Sequence, residues 1–445
     1  MNDTICAIST ALGVGAISII RMSGNDSLNI LKKIFTKTTL KDKSINYGKI
    51  IYNGEIIDEV LVSIMRAPKS YTCEDVVEIN CHGGIATTKK ILSILLELGC
   101  RLADKGEFTK RAFLNGRIDL TESEAINDLL LADTESKRKI AINNVNGLLT
   151  KKIREIRKVM GDLISNIEVN IDYPEYVDNL VITEKKVKKD VTEIIKKLKL
   201  MIQSSNQNKI IKDGINVALI GSPNAGKSSL LNALIDEEKA IVTDIAGTTR
   251  DIVEGSIIID DIKINFVDTA GIRKTLDPIE KIGVEKSKKA ILDSSLVILV
   301  IDGSKELASA EIDLLNKVDK NKTIVFINKT DLKTIIDIDT SFNIVYGNTK
   351  DLDGIKNLKD EIIKLFNLDK IKINNDSLIA NIRQEDLINK SINKLESVLS
   401  NVDTMPVDML EIDLRDAWEL LGEITGDTYE EELLDILFSN FCLGK

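Results

Sequence analysis

The run Gly221–Ser228 constrains the fold more than any other part of this sequence. It has the form G-x-x-x-x-G-K-S, follows an apolar strand pattern at Ile215–Ile220 and precedes a helical pattern at Ser229–Leu234. A strand, a glycine-rich turn and a helix in that order aim backbone N–H groups and a helix N-terminus at an anion. The sequence therefore predicts an α/β unit with a phosphate site after its first strand.

Two motifs further along the chain indicate that this site binds GTP. Asp268-Thr269-Ala270-Gly271 follows the strand pattern Ile262–Val267, a position typical of a carboxylate near Mg²⁺ and a glycine N–H near the γ-phosphate. Asn328-Lys329-Thr330-Asp331 follows the strand pattern Thr323–Ile327. A carboxylate there accepts hydrogen bonds from N1–H and the 2-amino group of guanine, and adenine lacks both donors. Because unpaired polar groups discriminate strongly, we expect a GTPase and not an ATPase.

Hydrolysis needs further groups around the phosphates. Lys227 should neutralise the β- and γ-phosphates, and the hydroxyls of Ser228 and Thr249 should bind Mg²⁺. Ras-like enzymes place a water-orienting glutamine directly after D-x-x-G, and Ile272 stands there instead. Either a partner protein supplies the missing chemistry, or another residue orients the water.

Two arginines leave this question open. Arg250, which ends the segment Gly247–Arg250, and Arg273 are candidates for arginine fingers that stabilise charge on the phosphates. Salt bridges within switch segments explain the same residues at least as well. The residues alone do not decide between the two roles.

Composition limits the class of protein. At 445 residues the chain is too long for one core, and roughly two to four domains are expected. The net charge of -10 argues against a surface coated for nonspecific nucleic-acid binding. The five dispersed cysteines and the single histidine, His82, lack the spacing of a zinc site. Without a membrane-length apolar run or a signal-peptide pattern, we expect a cytoplasmic protein that makes no membrane contact.

Changes in hydrophobic period divide the chain into four segments. The first mixes strands and helices, including a hairpin turn at Asn53-Gly54, and the second opens with a capping box formed by Thr121 and Glu124. The third alternates strands with helices, and the fourth is helical. We expect a multidomain α+β and α/β protein whose α/β domain is inserted into a split helical domain. The expected boundaries are 1–118, 119–212, 213–370 and 371–445.

Short motifs along the whole chain resemble those of one family, the MnmE (TrmE) GTPases, which modify the wobble uridine of bacterial tRNA. The glycine-rich loop is shared with other GTPases, whereas the motifs near the two ends are specific to this family. The matching motifs are Pro223–Ser229, Thr243–Asp251, Arg21–Gly24, Glu74–Glu78, His82–Gly84, Gly106–Gly116, Gly422–Gly426 and Phe441–Lys445.

The resemblance implies an N-terminal α+β domain that binds tetrahydrofolate and dimerises, a split helical domain and an inserted Ras-like P-loop GTPase domain. It also implies a heterotetramer with an FAD-dependent partner that uses NADH. Together they would add an aminomethyl or carboxymethylaminomethyl group to C5 of the wobble uridine, with 5-formyl- or 5,10-methylene-tetrahydrofolate as the one-carbon source. The folate site carries over to Arg21, Glu78, Arg117 and Lys445, where carboxylate and cations suit a pterin edge and a glutamate tail.

The resemblance also assigns the missing catalytic group. It implies a K⁺ ion in the place of an arginine finger, bound by Asn224, Thr243, Ile245 and Thr248, with Glu280 orienting the water. Cys442 stays open between a catalytic thiol and a packing residue. The full set expected to bind GTP is Asn224, Ala225, Gly226, Lys227, Ser228, Ser229, Thr243, Asp244, Ile245, Ala246, Gly247, Thr248, Thr249, Asp268, Thr269, Ala270, Gly271, Asn328, Lys329 and Asp331.

Three places in the sequence depart from the family pattern. Ala11-Leu12 and Cys73 change local loop sequence, and Gly347-Asn348-Thr349 replaces the usual Ser-Ala-Lys guanine loop, so we expect weaker nucleotide affinity.

Two rival functions remain. A ribosome-assembly GTPase would need an RNA-binding domain of K-homology type, and no G-x-x-G loop with basic flanks is present. A GTP-binding scaffold with negligible turnover would release no phosphate in a steady-state assay.

Overall fold

The structure is a computed structural model of the chain, and the chain divides into two compact units. The first comprises Met1–Leu131, Ala141–Lys199 and Asn381–Lys445, and the second comprises Ala132–Ile140 and Leu200–Ala380. The structure describes residues 3–37, 39–172, 184–237, 253–267, 294–336, 338–339, 341–349, 352–366, 368, 381–429 and 431–444.

A six-stranded sheet forms the N-terminal part of the first unit, with strand order β3-β4-β5-β2-β1-β6. Neighbouring strands are antiparallel except for β1 and β6, which are parallel. The strands are β1 (Ile5–Ile8), β2 (Ile17–Ser23), β3 (Ile45–Tyr52), β4 (Glu55–Met65), β5 (Val76–His82) and β6 (Arg101–Leu102). The helices in this part are α1 (Ser27–Ile34), α2 (Ile85–Glu97) and α3 (Glu107–Leu114).

Alternation along β2 and β5 separates the core from a polar face. Ile20 and Met22 are fully buried on β2, as are Val77 and Ile79 on β5. Since successive side chains in a strand point to opposite faces, the residues between them lie on the other side of the sheet. That face carries Arg21 of β2 and both Glu78 and Asn80 of β5.

The turn between β3 and β4 confirms the predicted hairpin. Asn53 and Gly54 have φ angles of 50° and 81°, both in the left-handed region. Asparagine and glycine tolerate this backbone better than other residues, and a two-residue turn of this kind matches the twist of the flanking strands.

Long helices complete the first unit. The helix Val407–Thr425 packs against the helices Leu148–Asp172 and Ile382–Asn401, which joins the two halves of the helical part. The helices are α4 (Leu120–Leu131), α5 (Glu135–Val145), α6 (Leu148–Asp172), α7 (Glu184–Asp213), α11 (Ile382–Asn401), α12 (Val407–Thr425) and α13 (Glu431–Ser439). Helices α5 and α7 each continue into the second unit.

The predicted capping box at Thr121 is wrong by two residues. The Asp119 side chain accepts from the N–H of Glu122 at 2.9 Å, and the Glu122 carboxylate accepts from the N–H of Asp119 at 2.9 Å. Glu124 instead accepts from the Arg383 guanidinium at 2.9 and 3.0 Å, which joins α4 to α11. The Glu124 carboxylate, which the local pattern assigns to the cap, therefore forms a long-range ion pair instead.

The second unit is an α/β fold with strand order β12-β11-β10-β7-β9-β8, in which only the β8–β9 pair is antiparallel. Every residue of β10 and β11 is buried, as in a sheet covered on both faces. The strands are β7 (Ile215–Ile220), β8 (Val253–Ile259), β9 (Ile262–Val267), β10 (Leu296–Asp302), β11 (Thr323–Asn328) and β12 (Asn343–Tyr346). Its other helices are α8 (Lys227–Glu237), α9 (Ser309–Lys317) and α10 (Leu352–Phe366).

The order of this sheet predicts where a ligand binds. The chain passes from β7 to β9 on one side and reaches β10 on the other, so β7 lies at a topological switch point. Open α/β sheets bind ligands outside the carboxyl ends of the strands at such a point. Together the two units confirm the predicted mixture of α+β and α/β folds. Within the part of the chain that the structure describes, no helix has both the length and the apolar character to cross a membrane.

Candidate functional site

The loop between β7 and α8 has a backbone that requires glycine at two positions. Gly221 has a φ of +146°, and a Cβ there would lie 2.2 Å from the carbonyl oxygen of Val300. Gly226 has a φ of +105°, and a Cβ there would lie 2.1 Å from Nδ2 of Asn328. Any side chain at either position would push the loop away from β10 and β11. The two glycines thus keep the loop against the carboxyl ends of the sheet.

Lys227 lies at the start of α8 with its ammonium turned back into the loop. Its Nζ donates to the carbonyl oxygens of Gly221 at 2.7 Å and Ser222 at 2.9 Å. Burial lowers the pKa of Lys227. Among the described residues no carboxylate pairs with this ammonium, so an anionic ligand would find a cation held by neutral oxygens alone. These residues fit the phosphates of a nucleotide.

The Asn328-Lys329 pair at the end of β11 is bonded directly to this loop. Asn328 is 1% exposed; its Nδ2 donates to the Ala225 carbonyl at 2.8 Å, and its Oδ1 accepts from the Lys329 N–H at 2.8 Å. Lys329 has a φ of 63°, and its Nζ donates to the Asn224 carbonyl at 3.2 Å. Two adjacent residues thus fix two adjacent carbonyls of the loop.

Asp302, the last residue of β10, completes this arrangement and was missed in the sequence analysis. Its Oδ2 accepts from Lys329 Nζ at 2.6 Å, and its Oδ1 accepts from the N–H and the hydroxyl of Ser304 at 3.1 and 2.7 Å. Burial raises the pKa of Asp302, but these hydrogen bonds outweigh burial and hold the pKa below its ordinary value. A single aspartate at the end of an otherwise apolar strand was the available signal.

Three expected ligand-binding residues lie exposed around this loop. Asn224 has a left-handed φ of 63°, Ser228 is in the first turn of α8, and Asp331 follows Lys329 by two positions. The side chains of Asn224, Ser228 and Asp331 are all exposed to solvent. They are therefore accessible to a bound ligand, and their ligand contacts stay predictions.

The segment that replaces the Ser-Ala-Lys loop begins with a close backbone contact. A Cβ on Gly347 would lie 2.7 Å from the Cα of Gly354, and a Cβ on Gly354 would lie 2.7 Å from the Cα of Gly347. Gly347 also donates to the Ile327 carbonyl at 3.0 Å and accepts from the N–H of Thr330 at 3.4 Å. Glycine at 347 therefore lets this loop lie directly on α10 and beside the end of β11.

Many expected ligands lie outside the described residues. Ser228 is the described member of the expected Mg²⁺ pair, and Asn224 is the described member of the expected K⁺ set. The donor sets for both ions are thus described only in part, and their assignments stay predictions. Outside the described residues lie Thr243, Asp244, Ile245, Ala246, Gly247, Thr248, Thr249, Arg250, Asp268, Thr269, Ala270, Gly271, Ile272, Arg273, Glu280 and Lys445.

The expected folate residues Arg21 and Glu78 form a cross-strand ion pair on the polar face of the first sheet. They are register partners on β2 and β5, and the Arg21 Nε and Nη2 atoms each lie 2.8 Å from Glu78 Oε1. The two side chains are 18% and 22% exposed. Oε2 of Glu78 accepts no hydrogen bond from the described part of the chain. One carboxylate oxygen is thus available to an N–H donor of a ligand.

Aromatic rings and Arg117 surround this pair. The guanidinium carbon of Arg21 lies 5.5 Å from the ring centre of Phe108 and 5.8 Å from that of Tyr71. Arg117 lies 4.8 Å from the ring centre of Tyr71 and donates to its carbonyl oxygen at 3.0 Å. The structure therefore brings Arg21, Glu78 and Arg117 together through Tyr71.

The C-terminal segment Phe441–Gly444, called the tail below, reaches the same place. The Gly444 carbonyl accepts from the Ser9 hydroxyl at 3.0 Å and from Arg21 Nη1 at 3.3 Å. The Cys442 carbonyl accepts from the Gly106 N–H at 3.3 Å, and the Cys442 side chain is exposed. The tail thus places an accessible thiol two residues from a backbone carbonyl that Arg21 contacts.

A buried ion cluster fixes α3, which carries Phe108. Arg111 is 1% exposed and donates to the carboxylates of Glu74, Glu107 and Asp3 at 2.8 to 3.2 Å. Removing one partner of such a buried cluster is costly because a buried charge is left behind. Glu74 belongs to the Glu74–Glu78 motif, and Glu107 and Arg111 belong to the Gly106–Gly116 motif. Part of each motif therefore has a structural role, which is to hold α3 in place.

Two family models match the chain. The model described as "GTP-binding protein TrmE N-terminus" matches residues 4–117, and the model described as "MnmE helical domain" matches residues 120–442. The curated relatives are similar along the whole chain. Proteins from Lactiplantibacillus plantarum and Finegoldia magna are 46% and 45% identical, cover 100% of this chain, and are matched over 98% and 100% of their own length. Both are named "tRNA modification GTPase MnmE".

A third relative and one solved structure complete the comparison. The relative from Streptococcus thermophilus, with the same name, is 45% identical over 100% of this chain and 98% of its own length. The G domain of the T. maritima FeoB iron transporter is 24% identical over 34% of this chain and 98% of its own, with a TM-score of 0.25. The assignment of the chain rests on the family models and the full-length relatives.

Proposed function

The chain belongs to the MnmE family of tRNA modification GTPases, and we propose that it modifies the wobble uridine with a folate-derived carbon. A tetrahydrofolate derivative, 5-formyl or 5,10-methylene, gives the one-carbon unit. A flavoprotein partner supplies FAD and uses NADH. The product carries an aminomethyl or carboxymethylaminomethyl group on C5 of the uridine. GTP binding and hydrolysis by the chain itself accompany this chemistry.

The cluster of Arg21, Glu78, Tyr71 and the tail carries the folate proposal. A pterin offers a row of N–H donors, and the open oxygen of Glu78 can accept from them while Arg21 holds the other oxygen in place. Arg117 supplies positive charge for the glutamate end of folate, and Lys445 is proposed for the same task. Because Arg21 also bonds the tail, a bound folate and the Cys442 thiol would share one site.

The GTP site supports hydrolysis with help from cations. Lys227 neutralises the phosphates, and we assign Ser228 and Thr249 to Mg²⁺ and Asn224, with Thr243, Ile245 and Thr248, to K⁺. When bound, K⁺ would supply the positive charge that an arginine finger supplies elsewhere. Glu280 is proposed to orient the attacking water.

The proposed assembly is a homodimer that joins the flavoprotein in a heterotetramer and acts on tRNA in the cytoplasm. The division into segments 1–118, 119–212, 213–370 and 371–445 is part of the same proposal. We assign dimerisation to the first segment. The family models on either side of residue 118 are compatible with this boundary.

Calorimetric titration with 5-formyltetrahydrofolate tests the folate site. Arg21→Ala and Glu78→Gln should each weaken binding at least about tenfold, because each removes a charge-assisted hydrogen bond. Arg66→Ala, which removes an exposed arginine of the same unit, should bind folate as the parent does. Asp331→Asn, in the other unit, should also leave folate affinity unchanged. If Arg21→Ala binds folate as tightly as the parent, the assignment of this site is wrong.

Mass spectrometry of wobble nucleosides tests the biological reaction. Cells that lack the gene should lose the C5-modified uridines, and the parent gene should restore them. An Arg21→Ala gene should fail to restore them while its product still hydrolyses GTP. Unchanged nucleosides in cells lacking the gene would contradict the proposed reaction.

A further inference from the structure

We propose that Asp302 is a positioning residue of the nucleotide site, acting through Lys329 on the phosphate-binding loop. Asp302 belongs to none of the GTPase motifs recognised in the sequence. The inference rests on GTP binding by the chain and is independent of the folate and tRNA chemistry.

The contacts of Lys329 explain why it needs a carboxylate partner. Its side chain is 34% exposed, and its Nζ bridges Asp302 Oδ2 at 2.6 Å and the Asn224 carbonyl at 3.2 Å. Without Asp302, a neutral carbonyl would be the one remaining partner of this ammonium among the described residues, and bulk water would compete for it. Asp302 therefore fixes the direction of the Lys329 side chain across the loop.

Asp302 is itself held rigidly. Its side chain is 11% exposed, and both the N–H and the hydroxyl of Ser304 donate to its Oδ1. The following residue, Gly303, donates to the Asn328 carbonyl at 2.9 Å. The end of β10 is thus bonded to the end of β11 on the same side as the phosphate-binding loop.

The result is a rigid link between the loop that binds phosphates and the motif that binds guanine. Asn328 and Lys329 fix the carbonyls of Ala225 and Asn224, and Asp331 follows two residues later. A ligand that contacts both parts binds more tightly when they are already in position, because less ordering is needed on binding. Asp302 contributes to that preorganisation without touching the ligand.

Asp302→Asn is the direct test, since asparagine keeps an acceptor for Ser304 and loses the charge that holds Lys329. We expect the dissociation constant for fluorescent methylanthraniloyl-GDP to rise about tenfold, as befits the loss of one partly exposed charged contact. Lys329→Met should cause at least as large a loss, because Lys329 is itself expected to contact the ligand. Adding Asp302→Asn to Lys329→Met should then change affinity by less than about twofold, because the partner through which Asp302 acts is gone.

Two controls separate positioning from a general structural effect. Ser304→Ala removes one of the two hydrogen bonds to Asp302 Oδ1 but leaves the Lys329 contact, so its loss of affinity should be clearly smaller than that of Asp302→Asn. Asp339→Asn breaks another lysine–aspartate pair of the same unit, with Lys320 at 2.8 Å, and should also leave affinity unchanged. Thermal unfolding of the nucleotide-free proteins shows whether each variant is folded.

Base preference provides a further readout that a damaged fold would not reproduce. In an Asp331→Asn background, in which xanthosine diphosphate should bind, Asp302→Asn should weaken that ligand by the same factor of about ten, since Asp302 does not choose the base. The proposal is overturned if Asp302→Asn leaves GDP affinity unchanged. It is equally overturned if the losses from Asp302→Asn and Lys329→Met are additive, or if Ser304→Ala weakens binding as much as Asp302→Asn.

Discussion

Replacing Gly444 by alanine should release the tail from the sheet of the first unit. Gly444 is buried with a φ of +87°, and a Cβ there would lie 2.4 Å from the Ile8 carbonyl oxygen and 2.9 Å from the Cα of Ser9. These are backbone atoms of β1 and the residue after it, so neither can turn aside. The tail must move, and the hydrogen bonds from Ser9 and Arg21 to the Gly444 carbonyl are then lost.

The magnitude follows from these separate contributions. The left-handed backbone costs alanine about 1–2 kcal/mol. The Ser9 hydrogen bond contributes about 1 kcal/mol and the longer, charged Arg21 contact about 1.5 kcal/mol. Gly54→Ala is the matched control, because Gly54 has a φ of +81° and nothing within 4 Å of an added Cβ. Both substitutions carry the backbone cost, so the excess for Gly444→Ala comes from the two hydrogen bonds and is about 2.5 kcal/mol, or roughly seventyfold in the docking equilibrium.

Amide hydrogen exchange at Gly106 measures this equilibrium, because its N–H donates to the Cys442 carbonyl at 3.3 Å. Exchange there should accelerate roughly seventyfold in Gly444→Ala and remain near the parent rate in Gly54→Ala. Carboxypeptidase should also remove the tail faster from the first variant. Equal Gly106 exchange in the two variants would refute the steric argument, and so would an undisturbed tail in Gly444→Ala.

Three further predictions concern the nucleotide site. Asp331→Asn should weaken GTP binding sharply and restore affinity for xanthosine nucleotides, whose 2-position is a carbonyl; unchanged GTP affinity by calorimetry would contradict the guanine assignment. Turnover should be at least about tenfold faster in K⁺ than in Na⁺ at equal ionic strength, Asn224→Ala should abolish this preference, and Glu280→Ala should reduce turnover while GTP still binds. Nucleotide affinity should fall as pH rises through the lowered pKa of Lys227, below the 10.5 of an ordinary lysine, because only the protonated ammonium attracts phosphate. Lys227→Arg should remove this dependence, because arginine stays protonated. The ligand itself titrates in the same way with both proteins. A parallel decline of nucleotide affinity in the two proteins would therefore contradict the prediction.

Local patterns predicted those parts of the fold that local physics decides. Asn53-Gly54 favours its hairpin because both residues accept a positive φ, and Gly221 and Gly226 indicate a glycine-rich turn between a strand and a helix. The helix start at Thr121 failed for the opposite reason. Two overlapping capping patterns were present, and a partner 259 residues from Glu124 decided between them. No local rule contains that information.

The candidate sites also contain residues that local motifs predict and residues that only the fold brings together. Motif spacing located Lys227, Asn328 and Asp331, since phosphate and base recognition need these groups in a fixed order along the chain. Asp302 was missed because its role depends on β10 lying beside β7 and β11. The tail contacts were likewise inaccessible to local reasoning, although the family resemblance pointed to both Arg21 and Cys442.

The tail contact also has a consequence for how the chain is made. Ser9 and Gly444 are bonded to each other and lie 435 positions apart in the sequence. At ordinary rates of synthesis, roughly 5–20 residues per second, Ser9 emerges about 20–90 seconds before its partner exists. Phe113 and Leu120 are likewise synthesised long before Leu434, Phe438 and Phe441, with which they form one buried cluster.

A chain truncated after Phe441 would therefore keep the described strands and long helices but lack this closing contact. Such a chain lacks Gly444 and the thiol of Cys442 together. The residues that complete the polar face bearing Arg21 are thus translated long after Arg21 itself. Only a chain that extends through Gly444 can present the whole cluster.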